Sequence, residues 1–127
     1  MNQARILVAD DEEGIRELLR EQLAGAGYDT DEATDGSEAI EKLDHGTYDL
    51  AILDINMPKK SGLDVLKHIR DRQMRIGVIM LTGRLGFSVG SESMLLGADE
   101  YITKPFDLEY LELTIKKVLE AGGKAPA

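Results

Sequence analysis

An α/β domain with one five-stranded parallel sheet and helices on both faces is the architecture this sequence predicts, from three observations. Apolar stretches of strand length alternate with segments of helical period, joined by short connections. Two of the stretches, Leu50 to Leu53 and Val78 to Leu81, are apolar at every position, the pattern of strands covered on both faces of a parallel sheet. All strand candidates but the second run straight into a polar side chain: Asp10, Asp54, Thr82 and Lys104.

Each element has its own signal. Ile6 to Ala9 is the first strand, running into Asp10-Asp11-Glu12-Glu13. Ile15, Leu18, Leu19 and Leu23 then recur at helical spacing, with a stop predicted at Gly25 or Gly27. Tyr28 to Ala33 is a strand polar enough, through Asp29, Thr30, Asp31 and Glu32, to suit an edge. Asp35 stands three residues before Glu38, as a helix cap does, and Ala39, Ile40 and Leu43 carry that helix to His45-Gly46. Beyond the strand ending at Asp54 and the turn at Pro58, Leu63, Val65, Leu66 and Ile69 mark a third helix, entered through Lys59-Lys60-Ser61-Gly62. Val78 to Leu81 is the fourth strand, stopped by Thr82-Gly83. A helix is expected over 85–96, short because Gly86 and Gly90 each cost about 1 kcal/mol in a helix interior, with a stop at Gly97. Tyr101 to Thr103 is the last strand, and Asp107 caps a final helix through Leu108, Leu111, Ile115, Val118 and Leu119.

The chain of 127 residues is long enough for one domain with a core; 1–121 is read as that domain and 122–127 as a tail or the start of a linker. Val78 to Leu81 is as long an apolar run as the chain has, against roughly 20 residues for a membrane span, and no signal-peptide core follows Met1. A cytoplasmic protein without membrane attachment is expected. With no cysteine, disulfides and thiolate chemistry are excluded. Fifteen basic against twenty-four acidic side chains, a net charge of −9, repel a phosphate backbone, so direct nucleic-acid binding by this domain is not expected.

Right-handed crossovers place the carboxyl ends of parallel strands on one rim, where ligands of open α/β sheets collect. Asp10, Asp11, Asp54, Thr82 and Lys104 therefore converge despite their separation in sequence. Two carboxylates about 4 Å apart repel by roughly 4 kcal/mol at an effective dielectric of 20, so three on one rim call for a cation. Oxygen-only donors suit Mg²⁺, with Mn²⁺ as the alternative. Lys104 supplies a positive charge for an anionic group on Asp54, and the Thr82 hydroxyl can donate to that group's oxygen. A carboxylate so flanked is equipped to accept a phosphoryl group.

These residues resemble the receiver domains of bacterial response regulators, including the chemotaxis regulators, in two-component phosphorelays. Ile6 to Glu12 is similar to the family's opening strand and acidic pair, and Asp54-Ile55-Asn56-Met57-Pro58 to its phosphoacceptor segment. Leu81-Thr82-Gly83 and Gly97 to Phe106 resemble its later motifs, so the likeness covers essentially the whole chain. The resemblance implies a flavodoxin-like strand order, 2-1-3-4-5. It implies that a sensor histidine kinase or phosphotransfer protein phosphorylates Asp54. The metal would be held by Asp11 and Asp54 directly, by Asp10 through water and by the backbone carbonyl of Asn56. Thr82 and Lys104 would bind the phosphoryl oxygens. Thr82 and Tyr101 would act as the switch, altering the face of the fourth helix, fifth strand and final helix for a downstream effector domain or target protein. Asn56 and Arg84 would tune phosphoryl lifetime, Gly83 would leave room for the phosphoryl group, and Pro105 would follow a cis peptide bond. A homodimer formed on phosphorylation is compatible with that face. The domain would assist its own phosphotransfer and dephosphorylation without being a multiple-turnover enzyme. The stretch Arg84 to Ser91 departs from the family by its low charge and its glycines.

Other readings have less support. An EF-hand beginning at Asp31 fails at Ala33 and Lys42, and a dinucleotide fingerprint at Gly25 and Gly27 fails at Thr30 and precedes a strand. An aspartate-nucleophile phosphatase needs a second aspartate where Asn56 stands. A receiver-like scaffold that is never phosphorylated is the other alternative. His45 and His68 are expected to be solvated surface residues.

Overall fold

The computed structural model describes residues 3–83, 94 and 96–122. Five strands, β1 (Arg5–Ala9), β2 (Asp29–Ala33), β3 (Leu50–Asp54), β4 (Gly77–Thr82) and β5 (Glu100–Thr103), form one sheet in the order β2-β1-β3-β4-β5. Every neighbouring pair is parallel. The strand order turns back on itself beside β1 and β3, so the carboxyl ends of those two strands flank the crevice where such sheets bind ligands.

Side chains alternate across the sheet and divide the core in two. Ile6, Val8, Leu50, Ile52, Ile79 and Leu81 face α1 (Glu13–Gly25) and α4 (Leu108–Glu120), packing with Leu19, Leu23, Leu111 and Ile115. Leu7, Ala9, Ala51, Leu53, Val78 and Met80 face α2 (Gly36–His45) and α3 (Gly62–Asp71), packing with Ala39, Leu43, Val65, Leu66 and Ile69. β3 and β4 are buried along their whole length, as their uninterrupted apolar runs predict. β2 is the polar edge, with only Ala33 fully buried.

Helix starts follow from capping. Asp35 accepts from the Glu38 amide at 2.8 Å, and Asp107 from the amides of Glu109 and Tyr110. Ser61 and Asp64 exchange bonds in a capping box that starts α3. Asp35 and Glu38 do not complete such a box, because the Glu38 carboxylate instead accepts from the Thr34 amide and hydroxyl. α1 ends at Gly25, and Gly27 takes a φ of 93° in the turn that follows, a conformation open to glycine at no steric cost. Gly97 does the same at 105° before β5. The helix expected over 85–96, and Arg84, lie outside the described residues apart from Met94 and Leu96.

One expectation is corrected. His68 is not a free surface histidine: its Nε2 lies 2.8 Å from Asp44 Oδ1, tying α3 to α2, with only 19% of its side chain exposed. The pairing of residues 24 apart has no local signature in the sequence.

Candidate phosphoacceptor and metal site

Asp54 ends β3 and is 5% exposed; its register partner on β4 is Leu81, so Thr82 stands one residue beyond. Asp10, at the end of β1, is completely buried. Its Oδ1 accepts the Glu12 amide at 2.9 Å, which fixes the turn into α1 and orients its other oxygen. Lys104 follows β5, and its ammonium reaches Asp10 Oδ2 at 2.9 Å, Glu12 Oε1 at 3.2 Å and Asp54 Oδ2 at 3.5 Å. The structure thus joins Asp10, Asp54 and Lys104 across three strands, and Asp11 extends the group outward.

Carboxylate oxygens from Asp10, Asp11, Glu12 and Asp54, one each, lie within 4.8 Å of one another. Among the described residues Lys104 is the cation in contact with that space, so their negative charge is in excess. Burial, followed by the Asp10 charge, pushes the Asp54 pKa up to about 6, against the pull of Lys104 and the Asn56 amide. Burial works against the Lys104 ammonium as well, but its hydrogen bond to Asp10 and the charges of Asp10 and Asp54 hold its pKa above the ordinary lysine value. The donor set is all oxygen, partly buried and over-charged, which fits a hard divalent cation. Asp10, Asp11, Glu12 and Asp54 could hold one.

The remaining predicted residues have distinct placements. The Asn56 amide donates to Asp54 Oδ1 at 3.3 Å. Thr82 is buried at the end of β4 with its hydroxyl donating to the Gly83 carbonyl at 3.1 Å, and its own carbonyl accepts the Lys104 amide. A Cβ on Gly83 would meet nothing within 4 Å among the described residues. Tyr101 is half-buried on β5 beside a shallow depression of about 510 Å³ that also involves Phe106 and Tyr110. The Lys104–Pro105 peptide bond is cis. Glu12 went unassigned in the sequence, although the third acid of Asp10-Asp11-Glu12 was the available signal.

With this geometry in place, comparison with known proteins identifies the family. The response regulator receiver domain matches residues 6–116. The chain belongs to that family. It is 42% identical over 112 residues to the transcriptional regulatory protein DltR of Streptococcus agalactiae, an alignment covering 88% of this chain and 50% of DltR. It is 38% identical over 115 residues to the alkaline phosphatase synthesis transcriptional regulatory protein PhoP of Bacillus subtilis, covering 91% and 48%. The chain spans about half the length of these curated relatives. Among solved structures, the receiver domain of Francisella response regulator 1452 superposes with a TM-score of 0.89 at 29% identity, over 94% of this chain and 98% of that one. A CheY-like receiver domain protein from Methanospirillum hungatei JF-1 superposes at 0.90 and 29% identity, over 95% and 97%. The receiver domain is a signalling module of two-component systems, and its sheet order is the one observed here. Among the described residues no helix is long and apolar enough to cross a membrane.

Proposed function

We propose that this receiver domain, residues 1–121 with 122–127 as tail or linker, accepts a phosphoryl group on Asp54 from the phosphohistidine of a sensor histidine kinase or phosphotransfer protein. The observation that carries this is the buried Asp54 carboxylate sharing one ammonium, Lys104, with Asp10. In the transfer, an Asp54 oxygen attacks phosphorus, an O–P bond forms, the N–P bond to the donor imidazole breaks, and the imidazole leaves with the electron pair. Lys104 pairs with the phosphoryl oxygens, and the Thr82 hydroxyl turns from Gly83 to donate to one of them. Asp11 and Asp54 directly, Asp10 through water and Asn56 through its carbonyl would hold Mg²⁺, or Mn²⁺. When bound, the cation neutralises charge on the carboxylates and on the moving phosphoryl oxygens.

Hydrolysis returns the domain to its starting state: water attacks phosphorus, the Asp54 O–P bond breaks, and inorganic phosphate leaves. Asn56 and Arg84 tune that rate by controlling water access. The domain acts once per phosphoryl group received and is not a multiple-turnover enzyme. Thr82 and Tyr101 transmit the change to the face that includes β5 and α4, where Tyr110 and Leu113 are exposed apolar side chains. That face serves a downstream effector domain or target protein, or a second phosphorylated copy. We place the domain in the cytoplasm, without membrane attachment or direct nucleic-acid contact of its own; any DNA contact belongs to an effector segment.

Incubation with acetyl phosphate and Mg²⁺ tests the reading. The intact mass rises by about 80 Da, and Asp54→Asn abolishes the rise. Persistence of the modification in Asp54→Asn overturns the acceptor assignment. No rise in either protein favours an unphosphorylated scaffold, and steady release of phosphate from a phosphomonoester favours a phosphatase.

A further inference from the structure

The loop from Ile55 to Ser61, which follows the acceptor, is closed on itself and then braced from outside. The Ile55 amide donates to Leu81 O at 3.0 Å, and the Gly62 amide returns to Ile55 O at 2.9 Å. Ile55 and Met57 anchor it in the core beneath α2 and α3. A Cβ on Gly62 would strike the Asp54 carbonyl oxygen and come within 2.9 Å of Ile55 Cα, so the start of α3 lies directly against the acceptor's backbone.

The outer brace is the first turn of α2. Gly36, buried at its start, packs so closely on the loop that a Cβ there would collide with the Lys60 carbonyl oxygen and stand 2.5 Å from its carbon. The obstructing atoms are backbone, so no rotamer change relieves the collision. The Gly36 amide points at Pro58 O, 3.4 Å away, and the same oxygen accepts the Lys60 amide at 2.8 Å. Asp35, the α2 cap, adds an ion pair to Lys59 at 3.6 Å. The loop is therefore clamped at Pro58 to Lys60, and closed behind at Ile55 and Gly62, with Asn56 and Met57 between.

We infer that Gly36 is a positioning residue for the cation end of the site: by letting α2 seat against Lys60, it fixes the loop backbone that presents Asn56 beside Asp54. This rests on the cation reading of the rim proposed above. Gly36 touches neither cation nor phosphoryl group, and acts only through the loop. Any side chain at position 36 must drive α2 and the loop apart, and the displacement falls on a segment with both ends held.

The test is a Mg²⁺ titration of isotope-labelled protein without phosphodonor, followed at the Asp54 and Asn56 amides by NMR, beside metal-free thermal melts. Gly36→Ala should weaken Mg²⁺ binding about tenfold, the scale seen when groups supporting metal ligands are disturbed. Gly46→Ala is the matched control at the other end of α2, where a Cβ would crowd the Tyr48 ring at 3.0 Å and Lys42 O at 3.1 Å. It should lower the melting temperature and leave Mg²⁺ affinity at the wild-type value. Unchanged affinity in Gly36→Ala, or equal weakening in both variants, overturns the inference. Where Gly36→Ala does not fold, Asp35→Ala loosens the same brace without adding atoms, and wild-type affinity there overturns it equally. Failure of the wild-type protein to bind Mg²⁺ overturns the cation reading itself.

Discussion

Two ionic clusters sit at opposite ends of the central strands, and they are built on opposite principles. At the amino end of β4, the Arg70 guanidinium pairs with Asp99 at 3.2 Å and donates to Gly97 O and Ile76 O at 2.9 Å each. Asp99 also accepts the Val78 amide at 2.8 Å. One cation meets one anion, and their remaining valences go to backbone groups. At the carboxyl end, four carboxylates crowd together, and three of them, from Asp10, Glu12 and Asp54, share the ammonium of Lys104. Charge that is balanced and fully bonded reads as structure, since removing either partner strands the other in the interior. Charge left in excess on a partly buried rim disfavours the bare fold, and its persistence points to a ligand that relieves it.

The largest expected effect comes from breaking the balanced cluster. Arg70→Ala leaves Asp99 half-enclosed without its cation and frees the Gly97 and Ile76 carbonyls, at a cost of about 3 kcal/mol in a denaturant titration. A loss under about 1 kcal/mol would mean that the cluster is no better bonded than a surface pair.

The unbalanced rim responds to pH in the opposite sense from a paired carboxylate. The Asp54 pKa is raised to about 6 in the fold, so the folded protein holds its proton at pH values where the unfolded chain has released it. Metal-free stability therefore falls as pH rises from about 4 to about 7, by on the order of 2 kcal/mol from this group. Asp54→Asn should lack that component of the slope and, at pH 7 without metal, be at least as stable as the wild type. A variant with the same slope, or one that is much less stable, would show Asp54 to be a satisfied structural acid. The smallest effect belongs to a single tie: His68→Ala, which cuts one hydrogen bond to Asp44, should cost less than about 1 kcal/mol at pH 7. A loss as large as that of Arg70→Ala would erase the distinction between a multiply bonded cluster and a single tie.

The strands were legible because burial on both faces writes itself as uninterrupted apolar runs, and polarity at the edge writes itself into Asp29 to Glu32. The rim was legible for a geometric reason. In a parallel sheet every carboxyl end lies on one side, so Asp10, Asp54, Thr82 and Lys104 could be brought together without a contact map. What could not be read depends on meetings between remote surfaces. Arg70 reaches Gly97 and Asp99 across 27 and 29 residues, and on a sequence it is one more basic residue on an amphipathic helix. Gly36 follows a capping aspartate and looks like an ordinary first-turn residue; only the approach of Lys60 makes it indispensable. His68 reads as solvated surface because its acid, Asp44, lies on another helix. The orientation of the Thr82 hydroxyl toward Gly83 is likewise a choice among rotamers that no spacing encodes.

The central claim, that the carboxyl-end rim carries unrelieved negative charge made for a divalent cation around Asp54, is tested most directly by thermal melts across a Mg²⁺ series at two pH values. The account predicts that millimolar Mg²⁺ raises the melting temperature at pH 7.5, by an amount that grows with concentration, and that the shift shrinks at pH 5, where Asp54 is mostly protonated. A melting temperature indifferent to Mg²⁺ at pH 7.5 would contradict it.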